Sequence, residues 1–247
     1  MDIQKRIDKA VDWLRQQVQE SGTRGILVGV SGGIDSAVVA NLIKRAFPQN
    51  SLGVILPIKS CERDIIDGEL VAKKAQIKTI TIDLSQQHSD VLNRTLKVLK
   101  DNNLFEEKNQ RITDANLRAR LRMSTLYAIA NQLNYLVAGT DNAAEVFTGY
   151  FTKYGDGGVD IMPIATLKKY EVYQWGKALG VPSEVLEKEP SAGLWEGQTD
   201  EKEMGTSYSY IDAYLDGKEV PQRDKEIIER LHKASAHKRS TPPFPEI

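Results

Sequence analysis

Short apolar segments alternate with helical patterns along the first 140 residues of the chain. Four segments are rich in aliphatic and β-branched residues: GILVGV (25–30), SLGVILPI (51–58), KTITIDL (78–84) and YLVAGT (135–140). Between them, apolar residues recur at helical spacing in three stretches, 36–47, 64–76 and about 89–133, the last with a break near Asn102. This alternation predicts parallel strands joined by right-handed helical crossovers. We therefore expect an α/β fold, a doubly wound parallel sheet with helices on both faces.

The remainder of the chain follows a different pattern. The segment TGYFTKYGDGGVDIMPI (148–164) is rich in glycine and aromatic residues, which predicts a long ordered loop. Helical stretches follow at about 167–179, 208–215 and 222–236, so we expect a helical C-terminal segment. Because no repeat or low-complexity linker divides the sequence, we predict a single domain over residues 1–247.

Composition excludes several classes of protein. The 33 Lys and Arg residues balance 34 Asp and Glu residues, which argues against a protein that coats nucleic acid or an acidic membrane. No apolar run approaches the roughly 20 residues that cross a bilayer, and the charged N-terminus lacks a secretory signal. Cys61 is the only cysteine, so the chain cannot form an internal disulfide. We expect a soluble cytoplasmic protein that binds neither nucleic acid nor a membrane.

The hexapeptide SGGIDS (31–36) stands where the first predicted strand meets the first helix. The unpaired N–H groups and the dipole of a helix N-terminus favour an anion, and the glycines let phosphate approach closely. Asp35 is a carboxylate inside this anion site, so a phosphate there needs a cation such as Mg²⁺ beside it. The alternative is a plain glycine turn in which Asp35 only favours the helix dipole. The P-loop and dinucleotide fingerprints are both excluded by the missing lysine and by the glycine spacing.

SGGIDS resembles the PP-loop signature of the ATP pyrophosphatases, which cleave ATP between its α and β phosphates. Four longer segments resemble one member of that superfamily, the ammonia-dependent NAD synthetases: NLRARLRM (116–123), AGTDNAAEVFTGYFTKYGDGG (138–158), KEPSAGLW (188–195) and TDEKEMGTSYSYIDAYLDG (199–217). The resemblance extends from Leu27 to about Lys238. It implies a Rossmann-like sheet of the adenine nucleotide alpha-hydrolase type.

Two carboxylates far apart in the sequence follow neighbouring strands of such a sheet. In the strand order 3-2-1-4-5, the winding direction reverses between the first and fourth strands, and ligands bind beyond the carboxyl ends at that switch point. Asp35 follows the first strand and Glu145 follows the fourth, so we predict that both share Mg²⁺ with ATP phosphates. Taken alone, Glu145 would read as a solvated helical residue.

The resemblance also implies roles for individual residues. The ATP site would comprise Gly29, Val30, Ser31, Gly32, Gly33, Ile34, Asp35, Ser36, Thr140, Lys169 and Ser191. The catalytic groups would be Asp35, Glu145 and Lys169, the first two as metal ligands. Deamido-NAD would contact Arg120, Lys153, Asp160, His237 and Lys238. Lys169 has the alternative of a solvated charge at a helix start, and His237 and Lys238 that of complementing a helix C-terminus.

This sequence departs from the family pattern at two positions. Ser191 replaces a frequent threonine and keeps the hydroxyl group, whereas Gly193 stands where an aspartate is common, which puts a role of that position in doubt. The implied reaction adenylates the nicotinic acid carboxylate of deamido-NAD, and ammonia then displaces AMP to form NAD. Cys61 lies on a predicted loop and the chain has no room for a glutaminase domain, so we expect free ammonia. A tRNA-modifying PP-loop enzyme and a non-catalytic ATP sensor remain the alternatives.

The resemblance further implies a homodimer whose partner subunit completes the dinucleotide site. The helical stretch from Asp114 to Leu133 carries more apolar residues than one buried stripe requires: Leu117, Leu121, Met123, Leu126, Tyr127 and Ile129. Part of this surface would pack against the same helix of a second chain in an isologous contact. The alternative is that these residues only cover the sheet, and periodicity does not separate the two.

Overall fold

The computed structural model describes residues 2–191 and 199–245, and a four-stranded parallel sheet lies at its centre. The strands are β1 (Gly25–Gly29), β2 (Ser51–Ile55), β3 (Lys78–Thr81) and β4 (Tyr135–Ala138), in the order β3-β2-β1-β4. The expected order is confirmed for these four strands. The expected fifth strand is reduced to one parallel bridge between Ala138 and Ile161.

Helices occupy most of the remaining chain. They are α1 (Ile3–Ser21), α2 (Ile34–Ala46), α3 (Glu62–Ala75), α4 (Ser85–Asp101), α5 (Gln110–Leu133), α6 (Ala143–Thr148), α7 (Lys169–Leu179), α8 (Ser183–Leu186), α9 (Asp200–Met204), α10 (Tyr208–Leu215) and α11 (Gln222–Ala234). Short 3-10 turns occur at Glu107–Asn109 and Ala236–Lys238. Within the described ranges, no helix has the length and apolar character needed to cross a membrane.

The two faces of the sheet bury separate apolar cores. Ile26 and Val28 pack into one core with helices α1, α2, α3 and α7. Leu27, between them on β1, points to the opposite face and packs into the core under α5, on which α4 lies. This alternation follows from the period of two along a strand. Helices therefore cover both faces, as the sequence predicts.

A third, smaller core joins the C-terminal helices to α6. It contains Ala144, Met204, Tyr208, Ile211 and Ile228, from α6, α9, α10 and α11. Because α6 follows β4 directly, this core holds the C-terminal helices beside the carboxyl end of the sheet. It also brings Tyr208 close to the end of β4.

Gly149 is the tightest point of this packing. It ends α6 with φ +69°, and a Cβ built on it would fall onto the side chain of Ser235. Gly180 ends α7 with a similar φ of +78°, but a Cβ there would meet nothing within 4 Å. A substitution at Gly180 would therefore cause backbone strain alone, whereas the same substitution at Gly149 would cause backbone strain and steric overlap.

We predict that Gly149→Ala lowers the free energy of unfolding more than Gly180→Ala does. Both variants incur about 1–2 kcal/mol for a left-handed alanine, and Gly149→Ala adds about 1–3 kcal/mol of overpacking. Denaturant unfolding of the two variants beside the unsubstituted protein measures the difference. Equal losses in the two variants would contradict the described contact between α6 and Ser235.

Candidate active site

A cavity of about 630 Å³ opens at the carboxyl ends of the strands, where the switch point predicts a ligand site. Of the predicted ATP-site residues, all except Gly32 line it: Gly29, Val30, Ser31, Gly33, Ile34, Asp35, Ser36, Thr140, Lys169 and Ser191. Glu145 and Lys238 also belong to its wall. Gly193, one of the two departures from the family pattern, falls outside the described residues.

The loop between β1 and α2 is held by its own two serines. Ser36 Oγ accepts from the Ser31 backbone N–H (3.2 Å) and donates to the Gly33 carbonyl (3.0 Å). Gly32 has φ +81°, and a Cβ there would lie 2.8 Å from Cβ of Asp67 on α3. A glycine is therefore required at position 32 by backbone and neighbour together. Gly32 faces α3, which explains why it does not line the cavity.

Lys169 joins the two predicted metal ligands. Its Nζ lies 2.7 Å from Oδ2 of Asp35 and 3.4 Å from Oε1 of Glu145. Asn142 fixes both carboxylates: its side-chain amide donates to Oδ1 of Asp35 (2.9 Å), and its backbone N–H donates to Oε2 of Glu145 (3.0 Å). The first turns of α2, α6 and α7 therefore meet at one point. Asp35 and Glu145 lie close together there, as the sequence predicts.

Burial governs the protonation of this cluster. It raises the pKa of Glu145 to about 7, with Asp35 adding to the rise and Lys169 opposing it. Burial alone would lower the pKa of Lys169, but the Asp35 and Glu145 carboxylates outweigh that effect and raise it. Lys169 thus remains a cation, and the solvated-charge alternative is wrong because only 3% of the residue is exposed.

Tyr208 is part of the cluster, and no sequence motif indicated it. Its hydroxyl lies 2.8 Å from Oε1 of Glu145 and 2.9 Å from Oδ2 of Asp200. A phenol has one hydrogen to donate, so the two carboxylates compete for it unless one is protonated. In the sequence, Tyr208 lies within segment 199–217, which resembles the family. That segment contains no motif that marks Tyr208 as a residue of the site.

Two further carboxylates in the cavity wall also escaped sequence analysis. Burial raises the pKa of Asp141 well above its usual range, and Asp156, Glu145 and Asp35 add to the rise. Burial likewise raises the pKa of Asp156. Asp141 stands between Thr140 and Asn142, and Asp156 stands between two glycines, and neither context has a pattern that marks a carboxylate with a raised pKa.

The predicted deamido-NAD residues are dispersed. Arg120, Lys153 and His237 form a hydrogen-bonded chain beside the cavity: Arg120 Nε donates to the Lys153 carbonyl (3.3 Å), and Lys153 Nζ donates to the His237 carbonyl (2.6 Å). Asp160 accepts from the Val137 backbone N–H (2.8 Å) and directly precedes Ile161, which forms the bridge to Ala138 of β4. Of the five, only Lys238 lines the cavity.

Lys238 is bound by backbone carbonyls. Its Nζ donates to the carbonyls of Gly149 (2.7 Å) and Phe151 (2.6 Å), and burial lowers its pKa. Lys238 therefore holds the loop after α6 in its present path. The alternative role, complementing a helix C-terminus, fits Lys238 only in part, because Gly149 ends α6 whereas Phe151 lies beyond it.

The residues at this site fit a magnesium ion. The described residues contain no cluster of three or more metal-ligating side chains. Magnesium is commonly held by one or two carboxylates together with substrate phosphates. Asp35 and Glu145 supply two carboxylates at the helix N-terminus where a phosphate would bind. The donor set is therefore complete only with a nucleotide present.

The sequence matches a family model described as NAD synthase over residues 6–242. The chain belongs to the NAD synthase family. An NH(3)-dependent NAD(+) synthetase of Alkaliphilus oremlandii is 66% identical over 246 residues, which cover 100% of this chain and 98% of the relative. A protein of the same name from Carboxydothermus hydrogenoformans is 45% identical, with 98% and 97% covered. The resemblance found in the sequence is thereby confirmed.

Solved structures of the family share the fold. An NMN synthetase from Francisella tularensis has a TM-score of 0.93 and 40% identity, with both chains fully covered. An NH3-dependent NAD synthetase from Campylobacter jejuni has a TM-score of 0.80 and 27% identity, again with full coverage of both. These similarities confirm the doubly wound α/β class predicted from the alternating pattern.

The Lys169 cluster yields a pH-dependent prediction. Glu145 has a folded pKa of about 7 against an ordinary value of 4.5, so its contribution to stability falls as pH rises towards 7. Lys169→Met removes the cation that opposes this shift, and the folded pKa of Glu145 rises further. We expect the loss of melting temperature caused by Lys169→Met to be larger at pH 8 than at pH 5.5.

Thermal unfolding at the two pH values measures this effect. Lys5→Met serves as the control, because it removes an exposed lysine from α1 and should change the melting temperature little at either pH. A loss from Lys169→Met that is the same at both pH values would mean that Glu145 does not depend on the lysine.

Proposed function

We propose that this chain catalyses the ATP-dependent amidation of deamido-NAD (nicotinic acid adenine dinucleotide) by ammonia, the last step of NAD biosynthesis. The products are NAD, AMP and pyrophosphate. Membership of the NAD synthase family and curated relatives at 66% identity support this reaction. The structural observation that carries it is the convergence of Asp35, Glu145 and Lys169 at the helix N-terminus behind SGGIDS.

Adenylation solves the chemical problem of this reaction. A carboxylate is a poor electrophile because its leaving group would be oxide. When the nicotinate carboxylate attacks the α-phosphorus of ATP, pyrophosphate leaves and an acyl-adenylate forms. Ammonia then attacks the acyl carbon, loses a proton to the medium, and AMP leaves with the bonding electrons. The protein has to align these groups and stabilise the charge that develops.

The residues of the cavity suit these tasks. The backbone N–H groups at the start of α2 can bind phosphate oxygens, and the Lys169 ammonium supplies a positive charge held in place by two carboxylates. Mg²⁺ held by Asp35 and Glu145 would neutralise phosphate charge beside those carboxylates. Residues 149–159 contribute to one wall of the cavity and would keep water from the acyl-adenylate.

A mononucleotide substrate is a second candidate. The Francisella tularensis structure with a TM-score of 0.93 bears the name NMN synthetase. Such a product would arise from amidation of nicotinic acid mononucleotide, which is the half of deamido-NAD that contains the reacting carboxylate. Arg120 and Lys153, which the resemblance assigns to deamido-NAD, lie outside the cavity wall, so the cavity alone does not favour the larger substrate.

One assay tests both candidates. The protein is incubated with ATP, Mg²⁺ and ammonium, and with either deamido-NAD or nicotinic acid mononucleotide. We predict that AMP and pyrophosphate form in equal amounts with the amidated product, that no ADP forms, and that kcat/KM is higher for deamido-NAD. A higher kcat/KM for the mononucleotide would establish the second candidate, whereas ATP binding without pyrophosphate release would contradict both.

The same assay identifies the nitrogen donor. Glutamine freed of contaminating ammonia should not replace ammonium, in agreement with the names of the curated relatives. Cys61, the only thiol, is exposed at the N-terminus of α3, and the cavity wall does not include it. Comparable rates with glutamine and ammonium would contradict direct use of ammonia.

We further propose a cytoplasmic homodimer in which residues 1–247 form a single domain. Of the apolar residues noted on α5, Leu121, Leu126, Tyr127 and Ile129 pack on the core below the helix, so they cover the sheet. The contact surface would instead use exposed apolar residues of α4 and of the connection between α4 and α5: Val91, Val98 and Leu104. A contiguous patch of such side chains would favour a protein contact.

The dimer proposal predicts a mass of about twice 27.6 kDa by light scattering. Val98→Glu should shift this mass towards one chain and weaken deamido-NAD binding, because the partner would complete that site. Ile66→Glu, at an exposed position of α3, is the matched control and should leave the mass unchanged. A fully active protein with the mass of one chain would contradict the dimer.

A further inference from the structure

Two arginines one helical turn apart on α5 approach the segment that follows β2. Arg118 Nη1 lies 3.5 Å from the Ile58 carbonyl, and Nη2 lies 2.6 Å from Oδ2 of Asp114. Arg122 Nε donates to the Leu56 carbonyl (3.0 Å), and Nη2 lies 3.5 Å from Ser60 Oγ. The two side chains make similar contacts, but only Arg118 has a carboxylate partner.

The charge of Arg122 is uncompensated among residues 2–191 and 199–245, since it forms no ion pair there. The side chain is half-buried and belongs to the wall of the central cavity. Its pKa is lowered to about 10, chiefly by burial and also by Arg118, with Asp156 and Asp64 acting in the opposite direction. A guanidinium taken from water without a carboxylate destabilises the folded state.

The other cations of the cavity wall are already bound. Lys169 contacts Asp35 and Glu145. Lys188 Nζ lies 2.8 Å from Asp64 and 2.9 Å from Asp67. Lys238 donates to two backbone carbonyls. Arg122 differs from all three lysines. Its guanidinium group has five N–H donors in one plane, and the contacts with Leu56 and Ser60 use two of them.

We propose that Arg122 binds an anionic oxygen of a substrate inside the cavity, either a phosphate of ATP or the phosphate or carboxylate of the pyridine nucleotide. The inference rests on the proposed function and adds a binding residue to it. Guanidinium groups bind such oxygens in a bidentate manner, and the bond is strong where water is largely excluded. Arg120, two residues earlier in the helix, is exposed and contacts the Lys153 carbonyl outside the cavity.

The test combines affinity with stability. Arg122→Met keeps much of the length of the side chain and removes its charge. Calorimetric titration with MgATP and, separately, with deamido-NAD should show at least a tenfold weaker affinity for one of them. The ligand-free variant should melt at the same temperature as the unsubstituted protein or higher, because an uncompensated charge is removed.

The two titrations distinguish the sources of the oxygen. A loss confined to MgATP assigns Arg122 to an ATP phosphate, and a loss confined to deamido-NAD assigns it to the pyridine nucleotide. Arg230→Gln, which removes an exposed arginine from α11, controls for net charge and should change neither affinity. Unchanged affinities for both ligands in Arg122→Met would overturn the proposal, as would a lower melting temperature accompanied by equal losses for both.

A second variant covers the case in which Arg122→Met does not fold. Arg122→Lys keeps the charge without the fork, so it should melt normally and bind the affected ligand several-fold more weakly. Native affinities for both ligands in this variant would overturn the proposal. Failure of the proposed function would look different: the unsubstituted protein would bind MgATP but form no amide, and the affinity comparison would still stand.

Discussion

The ion-pair cluster of Lys169 with Asp35 and Glu145 is the interaction on which the site depends. Asp35 lies in the first turn of α2, Glu145 in α6 and Lys169 at the start of α7. The cluster therefore joins three helices that are far apart in the sequence. Two carboxylates that share one ammonium group would repel each other strongly without that cation between them. The lysine makes the arrangement stable in the ligand-free protein, and it also places a positive charge where phosphate would bind.

Groups from other parts of the fold hold this cluster and the loop beside it in place. Asn142 holds both carboxylates through the capping of α6, Tyr208 reaches Glu145 from the C-terminal core, and Lys238 holds the loop after α6. The C-terminal helices therefore act as a rigid support for the carboxyl end of β4. A substrate that binds there meets groups whose positions are fixed in advance, which is the condition for electrostatic catalysis.

The sequence predicts the frame of this site well and its interior less well. The alternation of strands and helices follows from periodicity, the order β3-β2-β1-β4 from the Rossmann-like sheet that the resemblance implies, and the meeting of Asp35 with Glu145 from the switch point of that sheet. The contacts of Tyr208, Asp141 and Arg122 depend on packing between distant segments, for which one sequence contains no periodic signal. Asp160 differs in the opposite way: the resemblance assigns it to deamido-NAD, whereas in the fold its carboxylate accepts a hydrogen bond from the backbone of β4.

We propose that Asp35 and Glu145 act together on the ATP phosphates through a bound cation. The most direct measurement is the rate of AMP release, as a function of Mg²⁺ concentration, by Asp35→Asn and Glu145→Gln. Each variant keeps the shape of the side chain and removes its charge, and we predict that kcat falls on the order of 100-fold or more. Turnover close to that of the unsubstituted protein, at the same Mg²⁺ concentration, would contradict the claim.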